Sequence, residues 1–215
     1  MSATTVHLVR HGEVHNPTKV LYGRLPGFRL SDWGLAQAQV TAGFLAGRDI
    51  VAVISSPLER AQQTAAPIAA AYGIEVGIDP RIIESSNQFE GGVVEPGPGI
   101  FRHPQHWTKL RNPFRPSWGE PYETIAARVM AAVADVREEF AGREVVLVSH
   151  QLPVFVARRS AEGRALWHRP DHRQCALASV TSLVFENGGV VDQPTYVRYC
   201  EPNGPGNTKQ GSVGA

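Results

Sequence analysis

Apolar positions in this chain fall into short runs that alternate with stretches of helical spacing. Residues 5–9 (TVHLV) form an apolar run too brief for a helix, and it stops abruptly at Arg10-His11-Gly12. Ser31 is placed to cap a helix whose apolar side runs through Leu35, Ala38, Ala42 and Leu45, with Gly47 just beyond its end. A second apolar run, 49–55 (DIVAVIS), leads into Ser56-Pro57-Leu58-Glu59, which combines a capping box with proline at the first helical position. The helix it predicts carries Leu58, Ala61, Ala65, Ile68 and Tyr72 and stops at Gly73. A weaker strand pattern follows at 74–78. Pro121 opens a third helix through Tyr122, Ile125, Val129, Val133, Val136 and Phe140, closed by Gly142. Residues 144–149 (EVVLVS) repeat the strand pattern, end at His150 and lead into a further helix. Segments 179–185 and 190–199 flank Asn187-Gly188, a hairpin-turn signal.

Strands that alternate with helices, and are too apolar to face water on one side, predict an α/β fold with a mostly parallel sheet covered on both faces. In such sheets the ligand crevice lies beyond the carboxyl ends of the strands. Arg10 and His11 follow the first strand, Arg60 lies one turn into the helix after the second, and His150 follows the strand at 144–149. Two arginines and two histidines from distant segments are thereby expected at one edge of one sheet.

That set suits a compact, doubly charged oxyanion. Guanidinium stays charged at any relevant pH and offers forked donors that match phosphate oxygens. The helix after Ser56 adds free backbone N–H groups and a positive dipole end. Imidazole can attack phosphorus to give a phosphohistidine, while the surrounding positive charge neutralises the transferring group. The leaving oxygen then needs an acid, and Glu84 is the best-placed carboxylate by sequence order. The bland reading of Glu84 is a loop carboxylate paired with Arg81. Glu13 is read as a structural contact to a nearby N–H or arginine, and Glu120 as an electrostatic aid to the third helix's N-terminus.

Composition narrows the partners. Of 215 residues, 42% are hydrophobic and 19% charged, which excludes a mostly disordered chain. Lys and Arg number 21 against 20 Asp and Glu, a net charge of +1, so neither a nucleic-acid surface nor a polybasic membrane anchor is expected. No apolar run spans a bilayer, and the N-terminus lacks the charged and apolar regions of a signal peptide. A single cytoplasmic domain over residues 1–200 is expected. Cys175 and Cys200 read as idle thiols, with no CxxC or zinc spacing. His7, His15, His103, His106, His168 and His172 show no metal-ligand spacing either, so neither metal nor cofactor is expected. Residues 86–118 have no usable period but hold Phe101, Arg102, Trp107, Arg111 and Trp118, as a cover or substrate loop would. The tail from 201 to 215 has nothing to bury and is expected to be mobile.

Leu8-Val9-Arg10-His11-Gly12-Glu13, the run from Ser55 to Ala65 (SSPLERAQQTA), Glu84 and Val148-Ser149-His150 together resemble the histidine phosphatase superfamily, in its phosphoglycerate-mutase-like branch. The resemblance runs in order from about residue 5 to about residue 185. It implies a three-layer α/β/α sandwich and a phosphohistidine mechanism without metal. It makes His11 the nucleophile, Glu84 the proton donor, and Arg10, Arg60 and His150 the phosphoryl-holding groups. Asn16, one residue nearer the RHGE motif than is usual, is a candidate phosphate or substrate contact. Gln151, standing where Gly-Gly is common after the second histidine, puts a bulky amide near the pocket. Three classes stay open: a phosphatase for a small phosphorylated metabolite, a phosphoglycerate-type mutase, and a phospho-ligand binder without turnover.

Overall fold

The computed structural model describes residues 3–92, 119–169, 172–186 and 193–204. Strand β1 (Thr4–Arg10) is buried along its whole length, its polar Thr4, Thr5, His7 and Arg10 included, as a strand paired on both edges and covered on both faces is. It pairs in parallel with β4 (Glu144–Ser149) on one side and antiparallel with β5 (Val180–Phe185) on the other. Beyond β4 lie β2 (Ile50–Ser55) and β3 (Val76–Ile78), both parallel to it, and β6 (Tyr196–Cys200) closes the far edge against β5. The six-stranded sheet has the order β3-β2-β4-β1-β5-β6, with β5 alone running against the rest.

Alternation along the strands divides the core in two. Val6, Leu8, Val145 and Leu147 pack with Ile125, Val129 and Val133 of α3 (Tyr122–Glu139) and Phe155 of α4 (Gln151–Ala161). Val9, Val53, Val146 and Val148 point the other way, onto Ala42 and Leu45 of α1 (Asp32–Leu45) and Ala61, Ala65 and Ile68 of α2 (Glu59–Tyr72). Each such aliphatic side chain contributes about 1.5–3 kcal/mol when fully buried, so both faces need their helices. The result is a three-layer α/β/α sandwich with a mostly parallel sheet.

Several local expectations shift. Ser31 does cap α1, its hydroxyl accepting from Gly34 N at 3.0 Å. Leu35, however, lies at the rim of the buried face and is 43% exposed, because that face consists of Gly34, Gln37, Ala38, Thr41, Ala42 and Leu45. The helix start abuts the loop after β1. A Cβ on Gly12 would lie 2.6 Å from Gly34 O, and one on Gly34 would lie 2.0 Å from Glu13 O. Helix α2 begins at Glu59, later than the capping box predicts, and its N-cap Leu58 has no side-chain bond. The Glu59 carboxylate accepts instead from Gly27 N at 2.6 Å and pairs with Arg29. Strand β6 starts only at Tyr196. The Asn187-Gly188 turn, residues 93–118 of the expected cover loop and residues 205–215 of the tail lie outside the described residues. The cover loop's two ends meet where Asn87 bridges Gly119 and Glu120 N donates to Ser86 O at 3.2 Å.

Candidate active site

His11 sits one residue beyond β1, still in register: its N–H donates to Ser149 O at 3.0 Å, and Ala178 N donates to its carbonyl. The side chain is fully buried. Nδ1 lies 2.7 Å from Gly12 O, and a carbonyl only accepts, so Nδ1 carries the proton. Nε2 is therefore a bare lone pair, accepting from Arg60 Nε at 3.3 Å. Burial, reinforced by the Arg60 and Arg10 charges, holds the His11 pKa well below the ordinary 6.5. The imidazole is thus oriented, with the unprotonated Nε2 turned to Arg60.

Arg60, from the first turn of α2, is 1% exposed. Besides His11 it reaches Gly23 O through Nη2 at 2.6 Å, and its guanidinium lies 4.7 Å over the Tyr22 ring. Gly23 has φ +38°, and a Cβ there would meet Glu90 Oε1 at 2.3 Å, so only glycine brings that carbonyl to Arg60. Arg10, also buried, donates through Nη1 to Cys175 O at 2.6 Å.

His150 is the N-cap residue of α4 and is fully buried. Its ring centroid lies 5.1 Å from that of His11. Nε2 shares a 2.7 Å hydrogen bond with Ser56 Oγ, which also accepts from Leu58 N at 3.4 Å. Burial, with the Arg60 charge next, pushes its pKa well below 6.5.

Glu84 is 2% exposed. It has no bond to Arg81, which pairs with Asp79 and Asp135. Its Oε1 accepts from Ser85 N at 2.8 Å. Burial raises its pKa above the ordinary 4.5, against the pull of the Ser85 N–H and of Arg60 and Arg10. A carboxyl so placed favours the protonated form that an acid requires.

Three buried side-chain atoms have no hydrogen-bond partner among the described residues: Arg10 Nε, Glu84 Oε2 and His150 Nδ1. All three belong to this one centre. Burying polar groups unpaired costs free energy, so their convergence points to a ligand with several acceptor oxygens and one protonatable oxygen.

Arg10, His11, Arg60, Glu84 and His150 thus come together. Asn16 closes a local loop, its Oδ1 accepting from Val20 N at 3.1 Å and its Nδ2 donating to Val20 O at 2.8 Å. Gln151 opens α4, half-buried beside His150. Glu13 makes a structural contact, its carboxylate accepting from the Ser31 hydroxyl at 2.8 Å and its carbonyl from the Ser31 N–H at 2.9 Å. Glu120, directly ahead of the α3 N-cap Pro121, pairs with Arg24 and Arg128. Sequence reasoning missed Tyr22, Gly23 and the role of the Ser56 hydroxyl. Tyr22 stands in an aperiodic stretch with no motif to mark it, and Ser56 was hidden by its resemblance to a cap. Of the remaining histidines, buried His7 is satisfied by Ser182 Oγ at 2.8 Å and Glu144 at 2.7 Å. Among the described residues no three His, Cys, Asp or Glu gather as a metal would need, and no helix is long and apolar enough to cross a membrane.

A family model described as the histidine phosphatase superfamily (branch 1) matches residues 6–194. The chain is 60% identical over 199 residues to the uncharacterised protein Rv0525 of Mycobacterium tuberculosis H37Rv, covering 93% of this chain and 96% of that one. It is 33% identical over 156 residues to phosphoserine phosphatase 1 of Hydrogenobacter thermophilus, covering 68% of this chain and 71% of the relative. Among solved structures, mycobacterial glucosyl-3-phosphoglycerate phosphatase Rv2419c complexed with VO3 superposes with a TM-score of 0.69 at 25% identity, over 83% of this chain and 92% of that one.

Proposed function

The chain belongs to the histidine phosphatase superfamily, branch 1, and from that premise we propose that it hydrolyses a small phosphorylated metabolite through a phosphohistidine at His11. The observation that carries this reading is the bare Nε2 of a buried, neutral His11 beside Arg60, with the unpartnered atoms of Arg10, His150 and Glu84 around it.

His11 Nε2 attacks phosphorus in line, forming the N–P bond as the P–O ester bond breaks. Glu84 gives its proton to the leaving oxygen. Arg10 and Arg60 carry the charge on the three equatorial oxygens, and His150 adds a donor through Nδ1 when Ser56 donates to its Nε2. Water then attacks the phosphoryl group, Glu84 takes its proton, and the N–P bond opens. Two guanidiniums supply the positive charge, so the scheme calls on no metal. The VO3 complex of the glucosyl-3-phosphoglycerate phosphatase, a similar protein holding a phosphate-shaped oxyanion, supports the reading.

A panel of phosphate esters including 3-phosphoglycerate, with and without 2,3-bisphosphoglycerate, tests it. Phosphate release without the bisphosphate is expected. Interconversion of phosphoglycerates only in its presence would make the protein a mutase, and tight phosphate binding without release would make it a binder.

The pH dependence follows from the two shifted groups. The nucleophile must be neutral, so kcat/KM falls on the acid side only as pH drops through the lowered His11 pKa, below 6.5. The acid must be protonated, so activity falls on the alkaline side as pH rises through the raised Glu84 pKa, above 4.5. A bell is expected once the ester's own ionisation is allowed for. An acid limb at or above pH 6.5 would count against a desolvated His11 as nucleophile.

A further inference from the structure

We infer that Glu120, gripped between Arg24 and Arg128, is the positioning residue for the acid Glu84. This inference rests on the phosphohistidine reading and extends it to residues outside the phosphoryl pocket.

The Glu84 carboxyl has almost nothing to hold it. Oε1 bonds only within Ser85, the next residue, and Oε2 has no partner among the described residues. Where the acid sits is therefore set by its backbone, and that backbone is held by a clamp. Arg24 Nε donates to Glu84 O at 2.6 Å. Arg128 Nη1 donates to Ile83 O at 2.7 Å and also to Arg81 O. Two guanidiniums thus grip three carbonyls along residues 81–84.

One carboxylate joins the two. Glu120 Oε1 accepts from Arg128 Nε at 2.8 Å, and Oε2 accepts from Arg128 Nη2 and Arg24 Nη2, each at 3.0 Å. The Glu120 and Arg128 side chains are only 12% and 16% exposed, while Arg24 is 35% exposed. Without the carboxylate, two like charges face each other in a partly desolvated site, and the more exposed Arg24 is free to turn to water. Glu84 O then loses its donor.

None of these hydrogen bonds touches His11, Arg10, Arg60 or His150. The charge of Arg128 does reach His150, so Arg128 is the wrong residue to vary and Glu120 the right one. Displacing a catalytic group by about 1 Å can cost on the order of 100-fold, and only in reactions that need that group. Loosening the clamp must therefore show a dependence on the leaving group.

The test measures kcat/KM for esters ranging from acidic phenols to simple alcohols, in the wild type, Glu84→Gln, Glu120→Ala and the double variant. Glu120→Ala is expected to lose roughly 10–100-fold on alkyl phosphates and no more than about threefold on esters of acidic phenols. The double variant should be no worse on alkyl esters than Glu84→Gln alone, and orthovanadate affinity should be unchanged. Glu120→Asp, which keeps the charge on a shorter arm, should fall between; it carries the test should Glu120→Ala not fold. An equal loss on every ester, or additive losses in the double variant, overturns the clamp alone. A Glu84→Gln variant without leaving-group dependence overturns the acid assignment and the clamp together.

Discussion

Replacing His11 with alanine is expected to lower turnover by about four to six orders of magnitude and to remove the phosphoryl adduct entirely. The loss is this large because the side chain does one job that no neighbour can take over. Its Nε2 is bare because Gly12 O holds the proton on Nδ1, and it is neutral because burial and two guanidiniums oppose protonation. His150 is no substitute, since its ring centroid stands 5.1 Å away and cannot occupy the same in-line position. The measurement is a rapid quench with labelled substrate followed by a stability test of the adduct. A phosphohistidine is acid-labile and base-stable, and the label should map to His11. Full activity in the variant, or label on a serine or cysteine, sinks the mechanism.

Arg60→Ala should lower kcat/KM by about a thousandfold, with kcat falling and KM rising together. This arginine is bound on three sides before any substrate arrives: His11 Nε2 at Nε, Gly23 O at Nη2, and the Tyr22 ring across its face. A group so fixed meets both the ground state and the transition state without reorganising. Arg60→Lys should recover little, because one ammonium cannot reproduce a planar fork with diverging N–H groups. Steady-state constants on one good ester decide it. A rise in KM at unchanged kcat would show that Arg60 holds substrate but does not stabilise the transferring phosphoryl group.

The part of this site legible in the sequence is the part that parallel strands place by themselves. Arg10-His11 and His150 follow strands that run side by side, so both histidines had to emerge at one edge. Arg60 was legible because it lies a fixed distance past the adjacent β2. What stayed hidden depends on contacts that no local pattern encodes. Ser56 reads as a cap, and that its hydroxyl also meets His150 depends on the approach of β4. Glu120 stands beside α3 and looks made for its terminus, yet Arg24 and Arg128 claim it. Asn16 sits near the RHGE motif, but its amide is spent on Val20. Leu35 kept helical period and still lies at the rim, because the buried face of α1 is made by Gly34, Gln37, Ala38, Thr41, Ala42 and Leu45.

The position of β1 in the sheet also governs when the site can come into being. Its two neighbours, β4 and β5, are the strands at 144–149 and 180–185, so Arg10 and His11 leave the ribosome more than about a hundred residues ahead of the strands that pair beside them. At ordinary elongation rates that delay is on the order of ten seconds. Throughout it, residues 4–10 are a strand-forming segment with both edges unpaired, the kind of stretch that pairs with other chains. Ribosome-bound chains truncated before β5 therefore carry His11 without an ordered centre around it. An ordered centre at His11 must therefore wait for β5.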